Sequence, residues 1–253
     1  MTLWRSELKK EWLIEENKSF QGWDFSHIEN RSESEPLPWD YRQLINEHLK
    51  ETDKLLDMGT GGGEFLLTLN HPYHDTYVTE AYLPNVELCK KRLAPLGITV
   101  NQIKEDDILP YENEKFDVII NRHESYNIHE LYRVLKPKGI FITQQVGEQN
   151  NNTLSEILIE GFKKQYVNHN LLTNHSMLTD IGFEILKEGE YFPILKFYDV
   201  GAIVFFAKII EWEFPSFSVE RCFDKLLILH KMIDEKGYIE SVEHRFFLVA
   251  RKQ

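Results

Sequence analysis

Two cysteines in 253 residues, Cys89 and Cys222, are too few for a disulfide framework and lack the paired spacing of a zinc site. Ten histidines occur, but their spacing, that of His71-Pro72-Tyr73-His74 included, does not exceed chance, and no metal is expected. Long apolar runs are missing too. The longest, residues 200–207, falls far short of the roughly 20 residues a membrane-spanning helix needs. Residues 1–10 mix both signs of charge on an amphipathic pattern, so no signal peptide is expected and the cytoplasm is the expected compartment. Positive charge is scarce: 29 Lys and Arg stand against 41 Asp and Glu, a net charge of −12. Nucleic-acid binders carry a basic face. The basic clusters here, Lys90-Lys91-Arg92 and Lys163-Lys164, read as solvated faces of helices.

What is present suits a buried core: 42% hydrophobic and 13% aromatic residues, in a length that fits one large domain with extensions or two small ones. The chain is organised around Lys54-Leu55-Leu56-Asp57-Met58-Gly59-Thr60-Gly61-Gly62-Gly63-Glu64-Phe65-Leu66. Two leucines and an acid read as a short buried strand, the glycines as a turn, and the residues from Glu64 as the start of a helix. A strand, a glycine turn and a helix start mark the ligand crevice of an open α/β sheet. The dinucleotide fingerprint G-x-G-x-x-G, read from Gly59, would put Glu64 at its third glycine. A carboxylate there repels a pyrophosphate yet suits the helix dipole if no phosphate comes.

Asp57-x-Gly59-x-Gly61-x-Gly63 resembles the first motif of class I S-adenosylmethionine-dependent methyltransferases, whose cofactor has an adenosine and a cationic sulfonium but no phosphate. The chain continues in the same vein. Residues 77–80 read as a second strand ending in Glu80, where an acid accepts from ribose hydroxyls. Pro84 starts a helix to about residue 96, and residues 98–103 form a third strand. The acidic loop Glu105-Asp106-Asp107 is placed to meet the adenine amino group, and residues 116–121 read as a fourth strand buried on both faces. A helix near residues 130–135 leads through Arg133-Val134-Leu135-Lys136-Pro137-Lys138-Gly139 into a strand at 140–145. These series recur in class I methyltransferases in this order, and the resemblance covers residues 52 to about 147.

The resemblance implies a doubly wound, mostly parallel seven-stranded α/β sheet with the last strand antiparallel. A helix at 154–166, a strand at 183–188 and a final strand at 244–250 fit that outline. Residues 52–253 would form the methyltransferase domain, with 191–240 as an acceptor-site insertion, and 1–51 an N-terminal helical extension. In that extension Trp4, Leu8 and Trp12 share one helix face, and Asp40 caps a helix to about residue 50. The aromatic loop between them, with Trp23, Phe25 and Trp39, reads either as a lid or as a packed arm.

S-Adenosylmethionine is then the implied cofactor, held by Asp57, Gly59, Thr60, Gly61, Gly63, Glu80, Ala81, Asp106, Asp107, Asn121 and Arg122. Arg122 or Arg31 could take the methionine carboxylate as a bidentate pair. Methyl transfer from a sulfonium asks chiefly for positioning, worth ~7–11 kcal/mol, and for a base only if the acceptor is protonated. His123, just past the fourth strand, is the candidate base; it could instead order its loop. The Asn/Asp-Pro-Pro-aromatic run of amino-methylating relatives is replaced by Asn121-Arg122-His123-Glu124, and no Pro-Cys nucleophile occurs. The expected function is methyl transfer to a small-molecule acceptor, with no nucleic-acid or membrane partner and oligomeric state open. RNA or protein methylation, a non-catalytic cofactor-binding module, and a nucleotide oxidoreductase, against which Glu64 argues, are the competing readings.

Overall fold

The computed structural model describes residues 3–20, 25–104 and 108–253. Its strands are β1 (Ser32–Ser34), β2 (Leu55–Met58), β3 (Thr76–Glu80), β4 (Thr99–Gln102), β5 (Phe116–Arg122), β6 (Leu135–Val146), β7 (Phe183–Tyr191), β8 (Ile194–Phe197), β9 (Ile239–Val242) and β10 (Arg245–Lys252). The α-helices are α1 (Leu3–Glu16), α2 (Tyr41–Asn46), α3 (Glu64–Leu67), α4 (Leu83–Arg92), α5 (Ile128–Val134), α6 (Asn152–Leu158), α7 (Leu171–Ile181), α8 (Val200–Ile209) and α9 (Val219–Lys236). The chain divides into two compact units, one of residues 1–37, 148–168 and 192–244, the other of 38–147, 169–191 and 245–253. Residues 38–51 thus group with the glycine turn, and 1–37 with the later segments.

The larger unit is a seven-stranded sheet in the order β4-β3-β2-β5-β6-β10-β7. Strands β2 to β6 pair in parallel, and β10 runs antiparallel to both β6 and β7. Both faces are covered, so the central strands are apolar on both sides. Leu56, Met58, Phe116, Ile119, Phe141, Phe246 and Leu248 fill one face; Leu55, Val78, Val118, Ile120, Ile142 and Val249 fill the other. Strand order reverses between β2 and β5, where an open α/β sheet offers its crevice. Asp40 caps α2 by accepting from the N–H groups of Arg42 and Gln43, and proline stands in the first turn of α4.

The smaller unit has its own core. α8, apolar throughout but for Lys208 in its last turn, is buried at Val200 to Ala207, against Trp12, Phe197, Phe214 and the apolar face of α9. Trp12 meets Phe223 with centroids 5.7 Å apart, while Trp4 stays exposed. Phe25 packs 5.8 Å from both Phe20 and Phe206; Trp23 lies outside the described residues. β1, β8 and β9 form a three-stranded antiparallel sheet that sequence patterning missed. α6 stops at Leu158 rather than near 166: Ile159 is already extended at φ −104° and ψ 117°, and Gly161 then turns the chain through φ +67°. No described helix is long and apolar enough to cross a membrane.

Candidate cofactor and acceptor site

β2 ends in a turn that only glycine accommodates readily: Gly59, Gly61 and Gly63 have φ of +67°, +63° and +79°. A Cβ on Gly63 would lie 2.7 Å from a methyl of the buried Leu93, and one on Gly59 would lie 2.4 Å from Glu124 Cγ. The turn is closed by its own hydrogen bonds. Gly59 and Thr60 N–H donate to Thr79 O at 3.0 and 3.3 Å, and Gly63 N–H donates to Thr60 O at 3.1 Å. Gly61 N–H donates to Glu80 Oε2 at 2.9 Å. The other carboxylate oxygen of Glu80 accepts from Ala81 and Tyr82 N–H, each at 3.0 Å. These N–H groups are therefore not a cradle for phosphate oxygens. Glu64 pairs with Arg92, which also donates to Gly62 O at 2.9 Å. With only four residues, α3 has too short a dipole to replace that cradle.

Asp57 lies buried beneath the turn, and burial, with Glu80 nearby, pushes its carboxyl up to about 7 against the opposing pull of Thr60 and Arg122. The folded state thus holds this proton more tightly than the unfolded chain, where the value is ~3.9. Stability from this group is full below about pH 4, falls as pH rises to about 7, and is level above. Asp57→Asn should accordingly melt higher than the native protein at pH 8, with a smaller gap at pH 5. A gap independent of pH in thermal melts would show that Asp57 titrates normally.

At the ends of β5 and β6 the sheet carries polar side chains on both faces. The Tyr41 hydroxyl accepts from Asn121 N–H at 3.1 Å and lies 2.9 and 3.1 Å from the carbonyls of Asn121 and Ile142. Asn121 Oδ1 accepts from Gln145 Nε2 at 2.6 Å and from the Thr143 hydroxyl at 3.1 Å. Gln145 Nε2 also donates to Glu124 O at 3.0 Å. A backbone carbonyl can only accept, so it fixes which end of the Gln145 amide is nitrogen, and this in turn fixes Asn121 Oδ1. Asn121 Nδ2 is left buried with no partner among the described residues.

A second relay fixes His123. The Trp39 indole N–H, a donor only, reaches Gln144 Oε1 at 2.8 Å, so Gln144 turns its nitrogen to His123 Nε2 at 3.2 Å. His123 has φ +62° and is exposed, with its backbone N–H donating to Gln144 O at 2.8 Å. The protein mass around it, and then the charges of Arg245 and Arg122, hold its imidazole below the ordinary value, so it is neutral at pH 7. Arg122 is exposed, lies 4.5 Å over the Phe65 ring, and has no ion pair among the described residues.

Of the residues expected from sequence, Asp57, Gly59, Thr60, Gly61, Gly63, Glu80 and Ala81 meet at the glycine turn, and Asn121, Arg122 and His123 follow the adjacent strand. Asp106 and Asp107 lie outside the described residues. Arg31 is engaged elsewhere, in the smaller unit, by Asp199 at 2.6 and 2.8 Å and by Glu15 at 2.9 Å. Sequence reasoning did not single out Tyr41, Thr143, Gln144 or Gln145. The signal was available: three polar residues close the otherwise apolar strand Ile140-Phe141-Ile142-Thr143-Gln144-Gln145.

Residues 56–143 match the family described as methyltransferase domain. Protein MJ1252 of Methanocaldococcus jannaschii, itself uncharacterized, is 30% identical over 108 residues, which make up 40% of this chain and 40% of that protein. The chain thus spans two fifths of the length of this curated relative. Among solved structures, BH2331 of Bacillus halodurans C-125, a provisionally assigned methyltransferase, superposes with a TM-score of 0.55 at 14% identity, over 84% of this chain and 98% of that one. The [4+2]-cyclase SpnF superposes with a TM-score of 0.50 at 17% identity, over 83% and 80%. Likeness at such identities speaks to fold alone. Residues 56–143 therefore form a methyltransferase domain, and the seven-stranded sheet that contains it has the class I methyltransferase fold.

Proposed function

We propose that the chain is an S-adenosylmethionine-dependent methyltransferase acting on a small-molecule acceptor. The observation that carries this reading is the glycine turn, whose N–H groups at 59, 60, 61 and 63 already have protein acceptors and whose neighbours Asp57, Glu64, Glu80 and Glu124 are acids. Such a site disfavours a pyrophosphate and favours a cationic, phosphate-free nucleoside. The donors and acceptors present fit S-adenosylmethionine. Glu80 would meet the ribose, and the backbone beside Ala81 the adenine, along with Asp106 or Asp107. Asp57, Asn121 and Arg122 would border the methionine end. Bound there, the cofactor would supply a methyl group that needs no further activation.

Calorimetric titration tests this directly. S-Adenosylmethionine and S-adenosylhomocysteine are expected to bind and NAD(H) to give no heat; the reverse pattern would falsify the assignment. The second reading is cofactor binding without methyl transfer. Incubation with methyl-labelled cofactor and fractionated cell extract separates the two, since only a transferase passes label on. The net charge of −12 argues against RNA as acceptor. In this reading residues 1–51 act as a lid and 191–240 cover the acceptor. Protection of residues 22–39 from proteolysis on adding cofactor would support the lid, and equal cleavage rates would sink it.

A further inference from the structure

At the amino edge of the sheet, opposite the glycine turn, we infer that Lys115 is a site of Nε-dimethylation, its cation held in an aromatic cage. This modification of the chain stands apart from whatever the chain itself methylates. Lys115 immediately precedes β5, and Tyr77 lies on β3. The Lys115 nitrogen stands over three rings, 4.1 Å from the centroid of Tyr77, 4.9 Å from that of Tyr111 and 5.6 Å from that of Phe116. The rings meet as the walls of a corner, at 87°, 74° and 88° to one another with centroids 6.0, 5.3 and 4.8 Å apart. Two walls are fixed in the core: Phe116 is fully buried, and the nearly buried Tyr111 has a hydroxyl that accepts from Asn101 Nδ2 at 3.1 Å. Tyr77 packs against the same cluster.

Two other lysines that lie over rings also have polar partners. Lys9 pairs with Glu220, and Lys252 donates to the carbonyls of Tyr132 and Leu135 at 2.7 and 2.8 Å. Among the described residues the Lys115 ammonium has neither a hydrogen-bond acceptor nor an ion pair. A ring face attracts positive charge whether or not that charge bears N–H groups. Methylation keeps the charge and exchanges N–H for apolar surface, so here it removes no hydrogen bond that the protein supplies. The distances set the number of methyls. A methyl carbon stands about 1.5 Å from its nitrogen and packs best ~3.5–4.0 Å from ring carbons. A methylated nitrogen therefore stands about 5–5.5 Å from a ring that its methyl touches. Tyr111 and Phe116 lie near that distance, while Tyr77 is closer and takes the cation directly. The corner has room for two methyls.

The amine is also accessible and prepared to react. Lys115 is half-buried, and burial and then the charge of Lys54 hold its ammonium below the ordinary value against the pull of Glu112. In each of two rounds the ammonium loses a proton to water and the nitrogen lone pair takes the methyl carbon of S-adenosylmethionine. The carbon–sulfur bond breaks toward sulfur and S-adenosylhomocysteine leaves. Lys54 precedes β2 and the glycine turn follows it, so the two sites lie at opposite ends of that strand. The methyl donor for Lys115 is thus held by another protein molecule.

Two measurements test this. In the protein isolated from the cells that make it naturally, peptide mass spectrometry should find two methyl groups on Lys115 and none on the exposed Lys90 and Lys91. An unmodified Lys115, or equal modification of all three, would overturn the proposal. Recombinant protein can be dimethylated on its lysines with carbon-13 formaldehyde and a borohydride, and the Lys115 resonances assigned by their loss in Lys115→Arg. Those methyls should lie upfield of the other dimethyl-lysines, shifted by the ring faces, and Tyr77→Leu should return them part of the way. A Lys115 signal at the position of the exposed lysines would show that the cage does not take the methylated cation, and the proposal would fall. Where Tyr77→Leu does not fold, the native and Lys115→Arg spectra decide alone.

Discussion

Replacing Glu80 with alanine is expected to weaken S-adenosylmethionine binding by at least about a hundredfold and to lower the melting temperature. The carboxylate is 4% exposed and accepts from the backbone N–H groups of Gly61, Ala81 and Tyr82. It therefore ties the glycine turn to the turn after β3. A hydrogen bond to a charged acceptor is worth ~1.5–3 kcal/mol, so losing two of the three already amounts to roughly a hundredfold. Glu80→Gln should be nearly as damaging, because its amide nitrogen would face a backbone N–H on one side or the other. Titration calorimetry and thermal melting of both variants check this. Native affinity in a folded Glu80→Ala variant would mean that cofactor binding does not depend on this tie.

The second large effect is expected at Gly59. An alanine Cβ there would lie 2.6 Å from Glu124 Cβ as well as 2.4 Å from its Cγ. The Cγ can swing away, but the Cβ is fixed to its backbone, so the loop after β5 must move. The φ of +67° adds left-handed strain of ~1–2 kcal/mol. Gly59→Ala should thus lose at least about tenfold in cofactor affinity and shift the loop that carries His123. Adding Glu124→Gly should return part of the loss, since it removes the collision but not the strain. A double variant no better than the single one would place the whole effect in the backbone angle.

Both effects were half-legible in the sequence. The glycine spacing and the acid twenty residues on are local patterns, and buried parallel strands advertise themselves as apolar runs, so the sheet and the turn could be read directly. Which atoms Glu80 binds could not. A ribose ligand was the natural assignment, whereas the structure adds three backbone donors that any sequence supplies and none reveals. β1 pairs Ser32 with Phe197, so a three-residue strand such as Ser32-Glu33-Ser34 owes its conformation to a partner far along the chain. No periodicity in so short and polar a segment betrays it. Arg31, a candidate for the methionine carboxylate on sequence, could not be placed for the same reason, its carboxylate partner Asp199 lying 168 positions away. The Gln144 and Gln145 relays depend on alternate faces of one strand end, legible only once the register of β6 against β5 is known.

The position of β10 bears on how the chain is made. It lies between β6 and β7, and in this sheet β7 has β10 as its strand neighbour. During synthesis β2 to β6 emerge from the ribosome long before β10 and can pair as they appear, each with parallel neighbours already made. β7 must wait, its hydrogen-bonding edges unmet, through more than fifty further residues of translation. Those residues are the third and longest segment of the smaller unit, so that unit has its complete sequence before the sheet has its last strand. A nascent chain stalled between residues 192 and 244 would carry an open edge on β6 and a β7 without its partner. Such edges are ready templates for pairing with other chains, and they make interrupted translation the point at which this protein is most exposed to aggregation.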